Sequence, residues 1–302
     1  MKLLIQKVRT LLVIGASGLL GQHLVHQGKG TFERVIGTYH SNPFQIQGVK
    51  VERLDVVSER SVSDLFEKAH PDFAILTSGL TGVDYCEEHP EEAVALNEVG
   101  PLNVARACSE LETKLVYIST DYVFDGEKGD YVEDDEPNPI SVYGRTKLGG
   151  EKNVLNTTHD SIVARVCVLY GWNRITSKRN FVTWVLDNLE SGKAVKLFDN
   201  QIVTPTCADE VASVLLKLVE EDVSGVYHAS GSQKVSRYQF GKHVAEVFDL
   251  DVGKLAPVSM EKVGLPAKRP RDSSLIVRKI EEELNIKMRP LPLSLKHMRE
   301  SR

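Results

Sequence analysis

The chain is poor in cysteine: among 302 residues only Cys86, Cys108, Cys167 and Cys207 occur, far apart and with no C-x-x-C pair. That spacing argues against a disulfide framework or a cysteine-based zinc site and suits a reducing compartment, with the thiols acting as small buried hydrophobes. No stretch approaches the roughly 18 uninterrupted apolar residues of a membrane span. The apolar opening, residues 1–13, is interrupted by Lys7 and Arg9 and followed by a glycine turn in place of a cleavage site. A cytoplasmic protein with no membrane association is expected. Blocks of like charge are also missing: the formal net charge of -5 arises from interspersed acids and bases, which leaves no footprint for nucleic acid. The nine histidines form no H-E-x-x-H and no pair at ligand spacing, so no metal site is expected. G-x-S-x-G is absent, and with it the nucleophile elbow of an α/β-hydrolase. Trp172 and Trp184 read as packing residues. The acidic run Glu133-Asp134-Asp135-Glu136, just before Pro137, reads as a solvated turn and not as a cation site.

What is present points to an α/β protein. Hydrophobic residues make up 41% of the chain, enough for a substantial core. In the N-terminal half, short β-branched runs alternate with longer amphipathic stretches, the pattern of βαβ units that build a parallel sheet. Strands are expected at residues 10–14, 34–39, 49–54, 73–77, 115–119 and 162–168, with helices at 19–27, 58–69, 91–111 and 142–155. The rhythm loosens after Gly171, and Pro266, Pro270, Pro290 and Pro292 break up the C-terminal part. The expected architecture is a Rossmann-type doubly wound parallel sheet with a smaller C-terminal substrate-binding lobe. Residues 1–170 would form the dinucleotide-binding domain, with 202–230 returning to it, and residues 171–201 and 231–302 would form the lobe.

Gly15-Ala16-Ser17-Gly18-Leu19-Leu20-Gly21 follows the first expected strand and opens the first expected helix, the context a dinucleotide fingerprint requires. Gly15 permits a tight turn, Gly18 lets the backbone approach a pyrophosphate, and Gly21 lets helix and strand pack closely. The helix start offers free N–H groups to the phosphates, so Ser17, Leu19 and Leu20 join the cofactor-binding set. The G-x-x-G-x-x-G spacing is the variant used by short-chain dehydrogenases. After the second strand, His40 and Ser41 stand where an NAD enzyme places the acid that binds the ribose 2′-OH. With no acid there, NADP(H) is the preferred cofactor and NAD(H) remains open, although no arginine follows the strand to hold a 2′-phosphate. Asp55, after the third strand, is either an adenine contact or a solvated loop aspartate.

Tyr143-Gly144-Arg145-Thr146-Lys147 places a phenol and an ammonium four residues apart, on one side of a helix. Reducing a ketone by hydride transfer requires a proton for the developing alkoxide. A phenol with an ordinary pKa near 10 needs help from a nearby cation to serve at neutral pH. Lys147 is expected to supply that charge and to hydrogen-bond the nicotinamide ribose. The run Val116 to Gly126 precedes the pair, and its strand would deliver Thr120 to the C-terminal sheet edge, where ligands bind in open α/β folds.

The glycine turn, the stretch from Ser119 to Gly126, and Tyr143 to Lys147 followed by Gly150-Glu151 closely resemble the extended short-chain dehydrogenases of the dTDP-4-dehydrorhamnose reductase group. That group also contains the regulatory β-subunit of methionine adenosyltransferase. The resemblance extends over most of the chain through Val83-Asp84-Tyr85-Cys86-Glu87, Asn97, Asn180-Phe181, Pro205-Thr206 and Arg269-Pro270-Arg271-Asp272. It implies that Thr120, Tyr143 and Lys147 are the catalytic triad and that Ser78, Gly79 and Leu80 line the cofactor groove. It also implies that Asn97, Asp121, Val168, Asn180 and Arg269 serve the substrate, with Arg269 approaching a nucleotide-sugar diphosphate; the alternative for Arg269 is a surface arginine in a basic tail. Rhamnose-forming reductases usually carry a tryptophan where this chain has Val168, and an aliphatic residue there is more similar to the adenosyltransferase β-subunit branch. Two functions follow: NADPH-dependent reduction of the 4-keto group of a nucleotide-linked deoxysugar, or a catalytically silent NADP(H)-binding subunit that regulates another enzyme. The implied partners are a nucleotide sugar and either a second copy of the chain or a regulated enzyme.

Overall fold

A computed structural model describes residues 9–302; residues 1–8, which carry most of the apolar opening and Lys7, lie outside the described residues. The chain begins with β1 (Thr10–Ile14), α1 (Leu19–Gly28), β2 (Arg34–Tyr39), β3 (Lys50–Arg53), α2 (Glu59–Ala69) and β4 (Phe73–Leu76). Next come α3 (Val83–Glu88), α4 (Pro90–Val94), a π-helical turn (Ala95–Val99), α5 (Gly100–Glu110), β5 (Lys114–Thr120), α6 (Val142–Thr157) and β6 (Ser161–Val166). β1, β2, β3, β4, β5 and β6 form one parallel sheet with a seventh strand, in the order β11-β6-β5-β4-β1-β2-β3, where β11 is Gly225–His228.

The sequence of β1, Thr-Leu-Leu-Val-Ile, is apolar on both faces because both faces are covered. Leu11 and Val13 join a core with α1 and the later helix α8 (Ala208–Glu220), while Leu12 and Ile14 join a second core with α2 and α5. Strand order reverses between β1 and β4, so the crevice at their C-terminal ends is the place for a ligand.

The remaining elements are β7 (Leu169–Tyr170), α7 (Phe181–Glu190), β8 (Val195–Phe198), β9 (Ile202–Val203), β10 (Thr206–Cys207), β12 (Val235–Ser236), α9 (Arg237–Val247), β13 (Leu255–Val258), α10 (Arg278–Glu283) and α11 (Leu291–Glu300). A third apolar core unites α7, α9 and α11 with β8 and β13, which pair in parallel. α8 and β11 belong to the main sheet layer. Val277, Ile280, Leu284 and Met288 also pack into the main-sheet core. These four side chains thus share the core of the main sheet, although residues 231–302 were expected in the lobe.

Three further departures have local causes. Strand β6 ends at Val166, short of the expected 168, because Val168 sits at φ +43, a left-handed conformation that stops the ladder. The single helix expected over 91–111 begins at Pro90 and contains the π-helical turn, whose extra residue re-aims Asn97. In the acidic run expected to be solvated, Glu133 turns inward and accepts the backbone N–H of His228 (2.8 Å).

Candidate active site

The glycine turn is shaped for a phosphate-bearing ligand. Gly15 has φ +89, and a Cβ there would fall 2.7 Å from the backbone N of Ser78. At Gly21 a Cβ would fall 2.3 Å from the Gly15 carbonyl, so strand and helix approach as closely as glycine allows. Gly18 caps α1 with no side-chain hydrogen bond, leaving the first N–H groups of the helix without a side-chain partner. Leu20 buries its side chain in the core, so only its backbone faces the turn. Ser78 has a buried hydroxyl with no partner, and at Gly79 a Cβ would lie 2.9 Å from Asn97 Oδ1 and 3.8 Å from Lys147 Nζ. An orphaned hydroxyl beside two backbone cradles fits a dinucleotide lying from α1 toward Lys147. His40 and Ser41 are exposed at the end of β2 and hydrogen-bond each other (2.9 Å). Arg53 ends the adjacent strand, in register with Tyr39. Asp55 is half-buried and uses one carboxylate oxygen to accept the Val57 N–H (3.0 Å).

Thr120 ends β5 and Tyr143 is the second residue of α6, whose Ser141 cap accepts the Gly144 N–H. Glycine is needed at 144, where a Cβ would fall 2.1 Å from the Tyr122 carbonyl; this contact seats the start of α6 against the segment after β5. The Tyr143 phenol is hydrogen-bonded to Thr120. Thr120 Oγ1 donates to Asp121 Oδ1 (3.1 Å) and accepts the Tyr122 N–H (3.2 Å). Thr120 has one proton and two acceptors within reach, the Asp121 carboxylate and the phenol oxygen; turned toward the phenol it favours the phenolate and leaves the phenolic proton free to point away from Thr120. Burial pushes the phenol well above its ordinary value, and the Thr120 hydrogen bond opposes that rise.

Asn97 is wholly buried and held from both sides. Its Nδ2 donates to the Leu80 carbonyl (3.0 Å) and Thr146 Oγ1 (3.1 Å), and its Oδ1 accepts the Leu80 N–H (2.9 Å). The amide thus fixes the loop at Leu80 to α6 and is committed to those bonds, in contrast to the substrate contact expected from sequence.

Lys147 Nζ donates to the Ile118 carbonyl (2.7 Å) and lies 4.1 Å from the centre of the Tyr117 ring. Burial pushes its pKa down to about 7. Lys147 Nζ makes no hydrogen bond to the phenol; its contact with the Ile118 carbonyl places the nitrogen beside Gly79.

Other sequence candidates are brought in differently. Asp121 is 2% exposed and accepts Ser273 Oγ (2.5 Å) and Cys167 Sγ (3.2 Å) besides Thr120, so it orients Thr120 and cannot face a substrate. Burial raises its pKa, against the pull of the three donors. Asn180 closes a capping box: its Oδ1 accepts the Val182 and Thr183 N–H groups and its Nδ2 donates to the Gly171 carbonyl (2.7 Å), which leaves its side chain committed to starting α7. Arg269 is paired in bidentate fashion with Asp84 (2.9 and 2.7 Å). Val168 packs between the lobe core and the small core around Phe124.

Sequence reasoning missed Tyr122, whose ring meets Tyr143 edge-on at 5.6 Å, and Gln201, which donates to the Tyr122 hydroxyl (3.2 Å). It also missed Arg237 beyond Gln201 and the buried pair Glu151–Arg165 below Ser119. The Ser236 to Gln239 capping box signals a helix start, but nothing local signals that this start faces the site.

The profile of the RmlD substrate binding domain matches residues 9–301. A probable low-salt glycan biosynthesis reductase, Agl14, of Haloferax volcanii is 37% identical over 274 residues, covering 90% of this chain and 91% of that protein. Methionine adenosyltransferase 2 subunit beta of Xenopus tropicalis is 34% identical over 280 residues, covering 91% of this chain and 82% of that protein. The crystal structure of dTDP-4-dehydrorhamnose reductase from Bacillus anthracis in complex with NADP superposes with a TM-score of 0.86 at 26% identity, covering 98% of this chain and 100% of that one.

Proposed function

From the premise that this chain belongs to the RmlD substrate binding domain family, we propose that it is an NADPH-dependent oxidoreductase that reduces the 4-keto group of a nucleotide-linked deoxysugar. The observation that carries the reading is the set Asp121–Thr120–Tyr143, in which the Thr120 hydroxyl can donate to the phenol oxygen and so leave the phenolic proton free for a substrate. Bound NADPH supplies the hydride; NADH is a weaker alternative, since no acid stands at His40 or Ser41. Gly15, Ser17, Gly18, the backbone of Leu19 and Leu20, Ser78 and Gly79 receive the dinucleotide, with Asp55 at its adenine end. Tyr143 gives its proton to the carbonyl oxygen as the alkoxide develops, Thr120 fixes the phenol's direction, and protonated Lys147 stabilises the phenolate and the ribose hydroxyls. Residues 171–201 and the C-terminal segments other than 277–288 form the substrate lobe, with Val168 at its junction.

The test is nicotinamide absorbance during incubation with NADPH or NADH and a panel of 4-keto nucleotide sugars. Turnover with at least one sugar and preference for NADPH are expected. Because Lys147 loses its proton near pH 7 in the free protein, kcat/KM for reduction should fall as pH rises through about 7. Lys147→Arg should remove that limb, and a limb unchanged in this variant would reassign it. The stability sign is opposite: the unfolded chain keeps the lysine protonated up to its ordinary 10.5, so this group's contribution to stability rises with pH between about 7 and 10.5.

The aliphatic Val168 and the similarity to methionine adenosyltransferase 2 subunit beta favour a second reading, a binding subunit that holds NADP(H) and regulates a partner enzyme. NADP(H) binding without turnover of any sugar in the panel would select it.

A further inference from the structure

Two arginines flank Tyr122, and only one of them is free to take an anion. Arg269 is 13% exposed; its Nη1 and Nη2 hold both oxygens of Asp84, and Nη1 also donates to the Ala267 carbonyl (3.0 Å). It ties the C-terminal strap to α3. The strap is locked further along, where a Cβ at Gly126 would fall 2.4 Å from Pro270 and one at Gly129 would fall 2.4 Å from the Asp272 carboxylate. A phosphate would have to displace a carboxylate from a bidentate pair.

Arg237 is the first residue of α9. Its backbone N–H donates to the Gln201 carbonyl (2.9 Å), its Nε donates to Gln201 Oε1 (3.3 Å), and its guanidinium lies 5.2 Å from the centre of the Phe181 ring. Among the described residues no carboxylate pairs with it and nothing binds its two terminal nitrogens. Its charge also lowers the pKa of Asp121, Tyr122 and Cys167, which places it against the inner wall of the site. Gln201 connects it to the Tyr122 hydroxyl, and the Tyr122 ring rests on Tyr143. A half-buried guanidinium stacked on an aromatic ring, with its planar fork uncommitted, matches phosphate geometry.

We propose that Arg237, from the lobe side of the cleft, is the residue that binds the diphosphate of the nucleotide sugar, and that Arg269 is an internal tie. The assignment rests on the reductase reading and places the phosphate anchor two side chains from the proton donor. The Nε–Gln201 bond holds the fork in orientation, while Phe181 supports its face.

The test is calorimetric titration of the full chain with dTDP, UDP and thymidine, alongside NADPH. Arg237→Gln should weaken dTDP and UDP by about ten- to a hundredfold, as expected for loss of a charge-assisted contact, and leave NADPH unchanged. Arg237→Lys should recover part of the loss, and wild type should bind thymidine far more weakly than dTDP. Arg269→Gln should lower the melting temperature and change dTDP affinity by less than about threefold. Unchanged dTDP affinity in Arg237→Gln, a loss confined to Arg269→Gln, or a wild type that binds neither nucleoside diphosphate overturns the assignment. If dTDP binding depends on Arg237 but no 4-keto sugar is reduced, the anion site stands and the reductase reading falls. If sugars are reduced and Arg237→Gln equals wild type in both dTDP affinity and KM, the reading stands and the anion site falls.

Discussion

Tyr143→Phe is expected to reduce kcat for 4-keto sugar reduction by about 10²- to 10⁴-fold, the usual contribution of a positioned general acid, while NADPH affinity stays within about threefold of wild type. The split follows from where the ring sits. Its packing is shared with Tyr122, Cys86 and Ala93, and phenylalanine preserves that packing. Only the hydroxyl is lost, and with it the proton proposed to go to the substrate. The loss corresponds to a barrier increase of about 3–5 kcal/mol. Thr120→Val should be milder because the phenol survives with its direction unspecified. Equal turnover in wild type and Tyr143→Phe, measured on the same sugar, would remove Tyr143 as the proton donor.

The second large effect is on stability. Glu151 and Arg165 are 2% and 4% exposed and joined by two hydrogen bonds, of 2.9 and 2.7 Å. Ser119 donates to the same carboxylate (2.5 Å), and the guanidinium lies 5.1 Å from the centre of Phe124. Arg165→Met leaves a buried carboxylate with one hydroxyl donor, and such orphaned charges cost about 3–5 kcal/mol. The orphan carboxyl relieves itself by staying protonated in the folded state. Its folded pKa then exceeds the unfolded one, so the variant should lose further stability as pH rises through the carboxylate range. Glu151→Leu combined with Arg165→Met should recover most of the loss, because two apolar groups need no partner. Urea unfolding at two pH values measures all three proteins. A single variant within about 1 kcal/mol of wild type would show that water already reaches this pair. Because Ser119 precedes Thr120, the single variant should also loosen Thr120.

Much of this architecture is written locally. β1 and β2 fall where β-branched runs meet glycine or polar boundaries, and the glycine turn predicts its own geometry because the close contacts at Gly15 and Gly21 tolerate no side chain. The Tyr143–Lys147 spacing likewise places both groups on one helix. Their partners, however, are set by tertiary structure. Nothing in Ala95-Leu96-Asn97 announces a π-helical turn; Gly150, whose Cβ would lie 2.2 Å from the Asn97 carbonyl, admits it from another helix. Val168 adopts a conformation that local rules deny to a β-branched residue. The Asp84–Arg269 pair spans most of the chain, so the arginine that resembles a phosphate ligand in sequence proves to be occupied. Asn180 could have been read as a cap, since Thr183 stands three residues on and closes the box.

The central claim is that this site delivers a hydride to a sugar carbonyl and a proton from Tyr143 to its oxygen. The most direct measurement is mass spectrometry of the nucleotide sugar formed from a 4-keto substrate and NADPH deuterated at the transferring position. One deuterium bonded to C4 of the sugar in wild type, with product all but lost in Tyr143→Phe, is the predicted result. A protein that binds deuterated NADPH yet returns every 4-keto sugar in the panel unlabelled and unreduced would contradict it.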